Sequence, residues 1–168
     1  MARVQAMADT ELEFFQSLPR TRGAATALLC DDTGRVLLVK PTYRSGWGLP
    51  GGVIEMGESP LQACRRECVE ELGFAPVLRG LVGVDWLPGQ LSPDGRPATV
   101  FVFAGTLARG QFDAVRLPPD ELSAARLVES GRLAEFLPER QARRITAFLD
   151  PAGGGVRYLE HGYGVDWS

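Results

Sequence analysis

The chain has 168 residues, a length that fits one domain and can bury a core without disulfide bonds or a structural metal. Hydrophobic residues make up 45% and charged residues 23%, with a formal net charge of −3. This balance is ordinary for a soluble globular protein and argues against non-specific binding to nucleic acid, which needs a basic surface. Three cysteines, the lack of an apolar leader and the lack of a run of roughly 20 apolar residues predict a cytoplasmic protein without a membrane span.

The first predicted elements are a helix and a hairpin. The spacing of apolar residues over 8–18 predicts a short amphipathic helix. Its apolar side would carry Leu12, Phe15 and Leu18. Two strand-like runs, 23–30 and 35–40, flank the sequence Asp-Asp-Thr-Gly at 31–34, a pattern that is typical of a β-hairpin.

The clearest predicted helix lies between Ser59 and Gly73. Ser59 is a good N-cap, Pro60 suits the first helical position, and Gln62 completes a capping box. Gly73 stands where a left-handed C-terminal cap belongs. The apolar residues between the caps recur at helical spacing and predict one buried stripe, formed by Leu61, Cys64, Cys68 and Leu72.

Strands predominate after this helix. Residues 77–87 and 98–107 read as strands, and 125–128 as a weaker one. Residues 138–149 suit an amphipathic helix with a proline near its start. Strands on both sides of a capped helix predict one mixed α/β domain over residues 1–168.

The C-terminal tail, residues 150–168, begins with a glycine-rich hinge and then turns apolar. Its large apolar side chains are Val156, Tyr158, Leu159, Tyr163, Val165 and Trp167. This content is too apolar for a disordered terminus. We therefore expect the tail to dock, either on its own domain or across a two-fold homodimer.

The capped helix also carries Glu67, Glu70 and Glu71, which lie beside its apolar stripe. At about 100° per residue, the three carboxylates spread over roughly a quarter to a third of the helix circumference. Clustered carboxylates repel one another unless cations neutralise them, and oxygen ligands favour Mg²⁺ or Mn²⁺ over Zn²⁺. Taken alone, the same pattern would also suit a solvated acidic face.

The surrounding residues resemble the signature of the Nudix hydrolase family, G-x5-E-x7-R-E-U-x-E-E-x-G-U, in which U is a bulky apolar residue. The chain reads GVIEMGE at 52–58 and, after seven further residues, RECVEELGF at 66–74. Every fixed position matches, and Cys68 at the first U position departs only mildly because cysteine packs as a small hydrophobe. The preceding WGLPG at 47–51 looks like the family's lead-in. We call residues 52–74 the Nudix box.

This resemblance implies a fold and an activity. The fold would be a mixed β-sheet sandwiched between helices. The activity would be Mg²⁺-dependent hydrolysis, with Mn²⁺ as a substitute, of a phosphoanhydride bond in a nucleotide, nucleotide sugar, ADP-ribose or similar small molecule. Small bacterial Nudix pyrophosphohydrolases are the group it resembles, with no nucleic-acid polymer or membrane as partner. The alternative is a non-catalytic nucleotide sensor on the same fold, which the intact box disfavours.

The resemblance also implies roles for individual residues. The implied metal ligands are the Gly51 carbonyl, Glu67, Glu70 and Glu71. Arg66 would orient these carboxylates, and Glu58 would pair with Arg66 or reach a metal through water, although purely structural roles for both stay open. The general base would come from the box helix or from Glu121, which falls where relatives carry a later glutamate but could also be a surface acid.

Substrate recognition would lie outside the box. Arg44 and Lys40 could contact phosphate, and Tyr43 or Trp86 could stack on a base. Each of the four could equally be a surface or packing residue.

Overall fold

The structure, a computed structural model, describes residues 11–150 and 155–168. Its helices are α1 (11–17), α2 (Pro60–Leu72) and α3 (Glu139–Leu149). Its strands are β1 (Arg22–Cys30), β2 (Val36–Pro41), β3 (Gly51–Val53), β4 (Val77–Leu87), β5 (Ala98–Thr106), β6 (Leu122–Val128), β7 (Arg157–Glu160) and β8 (Tyr163–Gly164). Short 3-10 turns cover Gly89–Leu91, Phe112–Ala114 and Ser130–Glu135.

The strands form one mixed sheet in the order β6-β2-β1-β5-β4-β7-β8, and β3 pairs with β1. The β1–β5 and β4–β7 pairs are parallel, and the other pairs are antiparallel. The central strands β1 and β5 are rich in alanine, valine, leucine and phenylalanine because both of their faces are covered. The prediction of a mixed α/β fold is confirmed.

Helix α2 covers one face of the sheet. Its capping box forms as predicted: the Ser59 hydroxyl accepts from the Gln62 N–H at 3.3 Å, and the Gln62 side chain accepts from the Ser59 N–H at 2.8 Å. Gly73 ends the helix at φ 81°. The predicted stripe faces the sheet, with Cys64, Cys68 and Leu72 fully buried and Leu61 packed at the edge of the same cluster.

Helix α3 covers the opposite face. Ile145 and Phe148 pack in a second core cluster with Leu38 of β2 and Val102 of β5. The fit over β4 is close, because a Cβ on Gly83 would overlap the Phe148 ring. The sheet is therefore sandwiched between α2 and α3, as expected.

The predicted hairpin forms only at its turn. The Asp31 carboxylate accepts from the backbone N–H groups of Thr33 and Arg35, which closes the turn at 31–34. Beyond the pair Cys30–Val36 the strands separate, because β3 lies along β1 and Gly48 pairs with Val39 of β2, whose other edge pairs with β6. The latter strand begins at Leu122, earlier than the 125–128 predicted from sequence.

The two ends of the described chain pack less than the sequence predicted. Helix α1 forms, but its predicted apolar side is exposed, and residues 8–10 lie outside the described residues. The tail docks on its own domain as β7 against β4, and it buries Leu159 (3% exposed) while Trp167 stays 81% exposed. Among residues 11–150 and 155–168, no helix has the length and apolar character needed to cross a membrane.

Candidate active site

The Nudix box folds so that α2 presents its glutamates to strand β3. Gly51 has φ 132°, and a Cβ there would overlap the Ala25 carbonyl oxygen of β1. A Cβ on Gly52 would overlap the Glu67 carboxylate. Glycine is required at position 51, where the β3 backbone has a positive φ and runs directly against β1, whereas at position 52 it lets the Glu67 carboxylate lie against the same backbone.

Arg66 organises the carboxylates from the centre of α2. Its guanidinium donates to Glu58 through Nε at 2.7 Å and Nη2 at 3.0 Å, a bidentate pair. Its Nη1 donates to Glu67 at 2.9 Å and to Glu70 at 3.0 Å, and Nη2 also donates to the Val53 carbonyl at 3.1 Å. Hydrogen bonds from Arg66 hold the pKa of Glu58 below its usual value. The predicted pairing of Arg66 with Glu58 is present.

Glu71 sits deeper than the other acids and accepts from the Gly51 N–H at 2.7 Å. Burial raises the pKa of Glu71 to about 7, and the charges of Glu67 and Glu121 add to the rise. Burial likewise raises the pKa of Glu67, helped by Glu70 and Glu121. The carboxylates therefore carry more negative charge than Arg66 offsets.

Glu121 approaches this cluster from outside the box. It immediately precedes β6, where its carbonyl accepts from the Thr42 N–H at 2.8 Å. Its charge raises the pKa of both Glu67 and Glu71, which places it beside the box carboxylates. Glu121 is exposed, so the two alternatives from the sequence, a general base and a surface acid, both stay open.

The donor set fits a hard divalent cation. The candidate ligands are all oxygens, they bear surplus negative charge, and Glu67 lies against the glycine backbone of β3. In the described part of the chain, no three acidic, histidine or cysteine side chains already converge as a closed metal site. Instead Arg66 holds Glu67 and Glu70, and the Gly51 amide holds Glu71.

A cavity of about 280 Å³ opens beside this cluster on the α3 side of the sheet. Gly51 and Gly52 line it, which joins it to the Nudix box. Three larger cavities, of about 310, 470 and 580 Å³, lie at the end of β6, near the 31–34 turn and along the tail, and no box residue lines any of these three. Among these four cavities, the one beside β3, which we call the cleft, is the one that residues of the Nudix box line.

The four predicted substrate residues divide into two pairs. Tyr43 and Arg44 line the cleft, and the charge of Arg44 lowers the pKa of Glu71. Lys40 and Trp86 do not line it. Lys40 is exposed on β2, and Trp86 points away from α3 because side chains alternate along β4 and its neighbour Asp85 faces that helix.

Sequence reasoning missed a group of polar residues on the cleft wall. Arg144 of α3 forms a buried ion pair with Asp85 of β4, with Nε and Oδ2 2.6 Å apart. Arg140, Gln141 and Thr26 also line the cleft. One signal was available: Arg144 stands on the apolar side of α3, next to Ile145 and one turn before Phe148, where a solvated charge is not expected.

Comparison with known proteins gives three findings. A family model described as "NUDIX domain" matches residues 20–149. The "Putative 8-oxo-dGTP diphosphatase" of Bacillus subtilis (strain 168) is 31% identical over 132 residues, which cover 79% of this chain and 82% of that protein. Two solved structures share the fold at a TM-score of 0.66. The MutT protein from Methanosarcina mazei Go1 is 22% identical, and the match covers 83% of this chain and 100% of that chain. A UDP-X diphosphatase is 21% identical, and the match covers 92% of this chain and 74% of that chain.

Proposed function

Because the chain belongs to the Nudix family and is a Nudix hydrolase, we propose that it hydrolyses a phosphoanhydride bond in a nucleoside-diphosphate-linked small molecule with Mg²⁺, which Mn²⁺ can replace. The arrangement around Arg66 carries this proposal. One guanidinium orients three carboxylates, and a fourth, Glu71, is held by the Gly51 amide at the edge of the cleft. A solvated acidic face would not need this partly buried network, in which one guanidinium serves three carboxylates.

The site residues fall into proposed metal ligands and residues that position those ligands. Glu67, Glu70, Glu71 and the Gly51 carbonyl would hold the cation, which supplies charge neutralisation at the diphosphate oxygens. Arg66 and Glu58 fix the positions of these carboxylates. A water attacks phosphorus, a carboxylate accepts its proton, and the bond from phosphorus to the bridging oxygen breaks, which releases a monophosphate-containing product.

Two groups are candidates for the proton acceptor. One is a box glutamate, and the other is Glu121, whose charge already acts on Glu67 and Glu71. If Glu121 is the base, Glu121→Gln should lower kcat by about 100-fold or more with little change in KM. A variant with normal kcat would return the role to the box helix.

The names of the similar proteins guide the choice of substrates. They refer to 8-oxo-dGTP and to UDP-X, both of which are nucleotide compounds. A screen should therefore cover nucleoside triphosphates, dinucleoside polyphosphates, ADP-ribose and nucleotide sugars, with prenyl diphosphates as the non-nucleotide comparison.

The test is to separate and quantify the hydrolysis products across this panel with Mg²⁺, with Mn²⁺ and with chelator. We expect turnover of at least one nucleotide compound with either cation, and loss of turnover with chelator. Glu70→Gln keeps the side-chain size and should lower turnover by about 100-fold or more, because it removes a ligand charge. Full turnover in chelator would refute the cation mechanism, and tight nucleotide binding without turnover of any compound would favour the sensor alternative.

A further inference from the structure

The wall of the cleft that faces away from the Nudix box contains two arginines one helical turn apart on α3, of which Arg144 is buried and Arg140 is half-buried. Arg144 is 8% exposed and donates through Nε to Asp85, whose other oxygen accepts from the Gly162 N–H at 2.9 Å. The Nη2 of Arg144 is buried and has no hydrogen-bond partner among the described residues. The Nε of Arg140 is likewise buried and without a hydrogen-bond partner among the described residues.

A third polar atom without a partner lies across the cleft. Thr26 of β1 lines the same cavity, and its hydroxyl is buried without a hydrogen-bond partner among the described residues. Thr26 pairs with Gly51, so this hydroxyl lies next to the box glycines. The cleft therefore brings together donors from β1 and α3, elements far apart in the sequence.

Donors left without partners in a buried site destabilise the fold, and charged donors do so most. Four buried side-chain atoms among the described residues lack a partner; three belong to residues that line this cavity, and the fourth is the Nε of Arg143. Native proteins rarely leave such groups unsatisfied, so three around one cavity indicate a missing partner. The charge balance of the wall indicates that the missing partner is negatively charged. Burial and the neighbouring charge of Arg144 lower the pKa of Arg140, while Asp85 is already shared between Arg144 and Gly162. The wall holds surplus positive charge.

We propose that Arg140, Arg144 and Thr26 form a subsite for a phosphate group that the substrate carries in addition to the phosphoanhydride cleaved at the Nudix box. This inference rests on the proposed function for its link to catalysis. It assigns the substrate to nucleotides that bear an extra phosphate, such as triphosphates, rather than to diphosphates that end in an uncharged sugar. Arg44 extends the same positive lining toward the Nudix box.

Direct binding tests the subsite apart from catalysis. Titration calorimetry with inorganic phosphate, on the full chain in chelator and at constant ionic strength set with chloride, should show binding. Arg140→Gln should weaken binding by about tenfold or more, because it removes a charged donor. Thr26→Val keeps the side-chain volume and should weaken binding by a smaller factor.

Arg143→Gln is the matched control. Arg143 lies on the same helix and the change removes the same charge, but its side chain pairs with Glu139 and stacks on Tyr163, 4.1 Å from the ring centre, instead of lining the cleft. Phosphate affinity should stay within about twofold of the wild type in this variant. Equal losses in both arginine variants would indicate only a diffuse positive field and overturn the subsite.

Kinetics then tests the link to substrate choice. The ratio to measure is kcat/KM for a nucleoside triphosphate divided by kcat/KM for the diphosphate of the same nucleoside linked to an uncharged sugar. This ratio should fall about tenfold in Arg140→Gln and stay unchanged in Arg143→Gln. An unchanged ratio in both variants, or no phosphate binding to the wild type, overturns the proposal. If phosphate binds as expected but no panel compound is hydrolysed, the proposed function fails and the anion subsite stands.

Discussion

Glu71 is a proposed metal ligand whose burial makes the stability of the protein depend on pH. Its carboxylate lies against the Gly51 amide, and its pKa of about 7 is well above the ordinary 4.5. An acid whose pKa is higher in the folded than in the unfolded state takes up protons on folding. The stability of the cation-free protein should therefore fall as pH rises from about 4.5 to about 7.

We expect a cation to reverse this dependence, because the proposed metal site would bind the ionised carboxylate. Mg²⁺ affinity should rise with pH through about 7 and then level off, since below that pH the ion must displace a proton from Glu71. Titration calorimetry at pH 6 and pH 8, and urea unfolding in chelator, would measure both effects. In Glu71→Gln both pH dependences should shrink; a variant that keeps them in full would show that another group titrates.

At the scale of elements, the position of α3 depends on one glycine of β4. A Cβ on Gly83 would overlap the Phe148 ring, so α3 could not stay where its arginines reach the cleft. Gly83→Ala should lower the free energy of unfolding by about 1–3 kcal/mol through overpacking. It should also weaken phosphate binding at the α3 subsite.

Gly80 gives the matched control on the same strand, because a Cβ there meets nothing within 4 Å. Gly80→Ala should leave the stability within about 0.5 kcal/mol of the wild type in urea unfolding. Equal stability of the two variants would mean that Phe148 moves aside freely and that β4 does not fix the helix.

At the scale of the whole molecule, we propose that the tail belongs to the same domain although the family match ends at residue 149. Strand β7 extends the sheet, Leu159 enters the core beneath α3, and Gly162 donates to the buried Asp85. Removing residues 155–168 should destabilise the protein. The loss of Leu159 burial alone accounts for about 1.5–3 kcal/mol, and Asp85 is left with an unpaired oxygen.

Thermal unfolding and light scattering would measure this effect and the mass in solution. Trp167→Ala is the control, because Trp167 is 81% exposed and its loss should leave the melting temperature unchanged. A truncated protein with wild-type stability would show the tail to be an appendage. A truncation that instead halves the mass in solution would show that the tail also joins two copies.

The sequence by itself determined the features that depend on a few neighbouring residues. The capping box and Gly73 set the ends of α2, and helical spacing set its buried stripe and placed Glu67, Glu70 and Glu71 beside it. These rules act within one or two turns, so they can be read without knowing what packs nearby. The family signature added the expectation of a metal-dependent hydrolase.

Only the tertiary structure decided which distant residues meet. The hairpin partners separate because β3 pairs with β1 and Gly48 pairs with Val39 of β2, a choice that local pattern does not encode. Trp86 and Lys40 lie outside the cleft, whereas Thr26, Arg140 and Arg144 line it, because strand order and the packing of α3 place them there. The physical reason is that caps and periodicity are short-range, whereas a cleft wall arises from the packing of whole strands and helices.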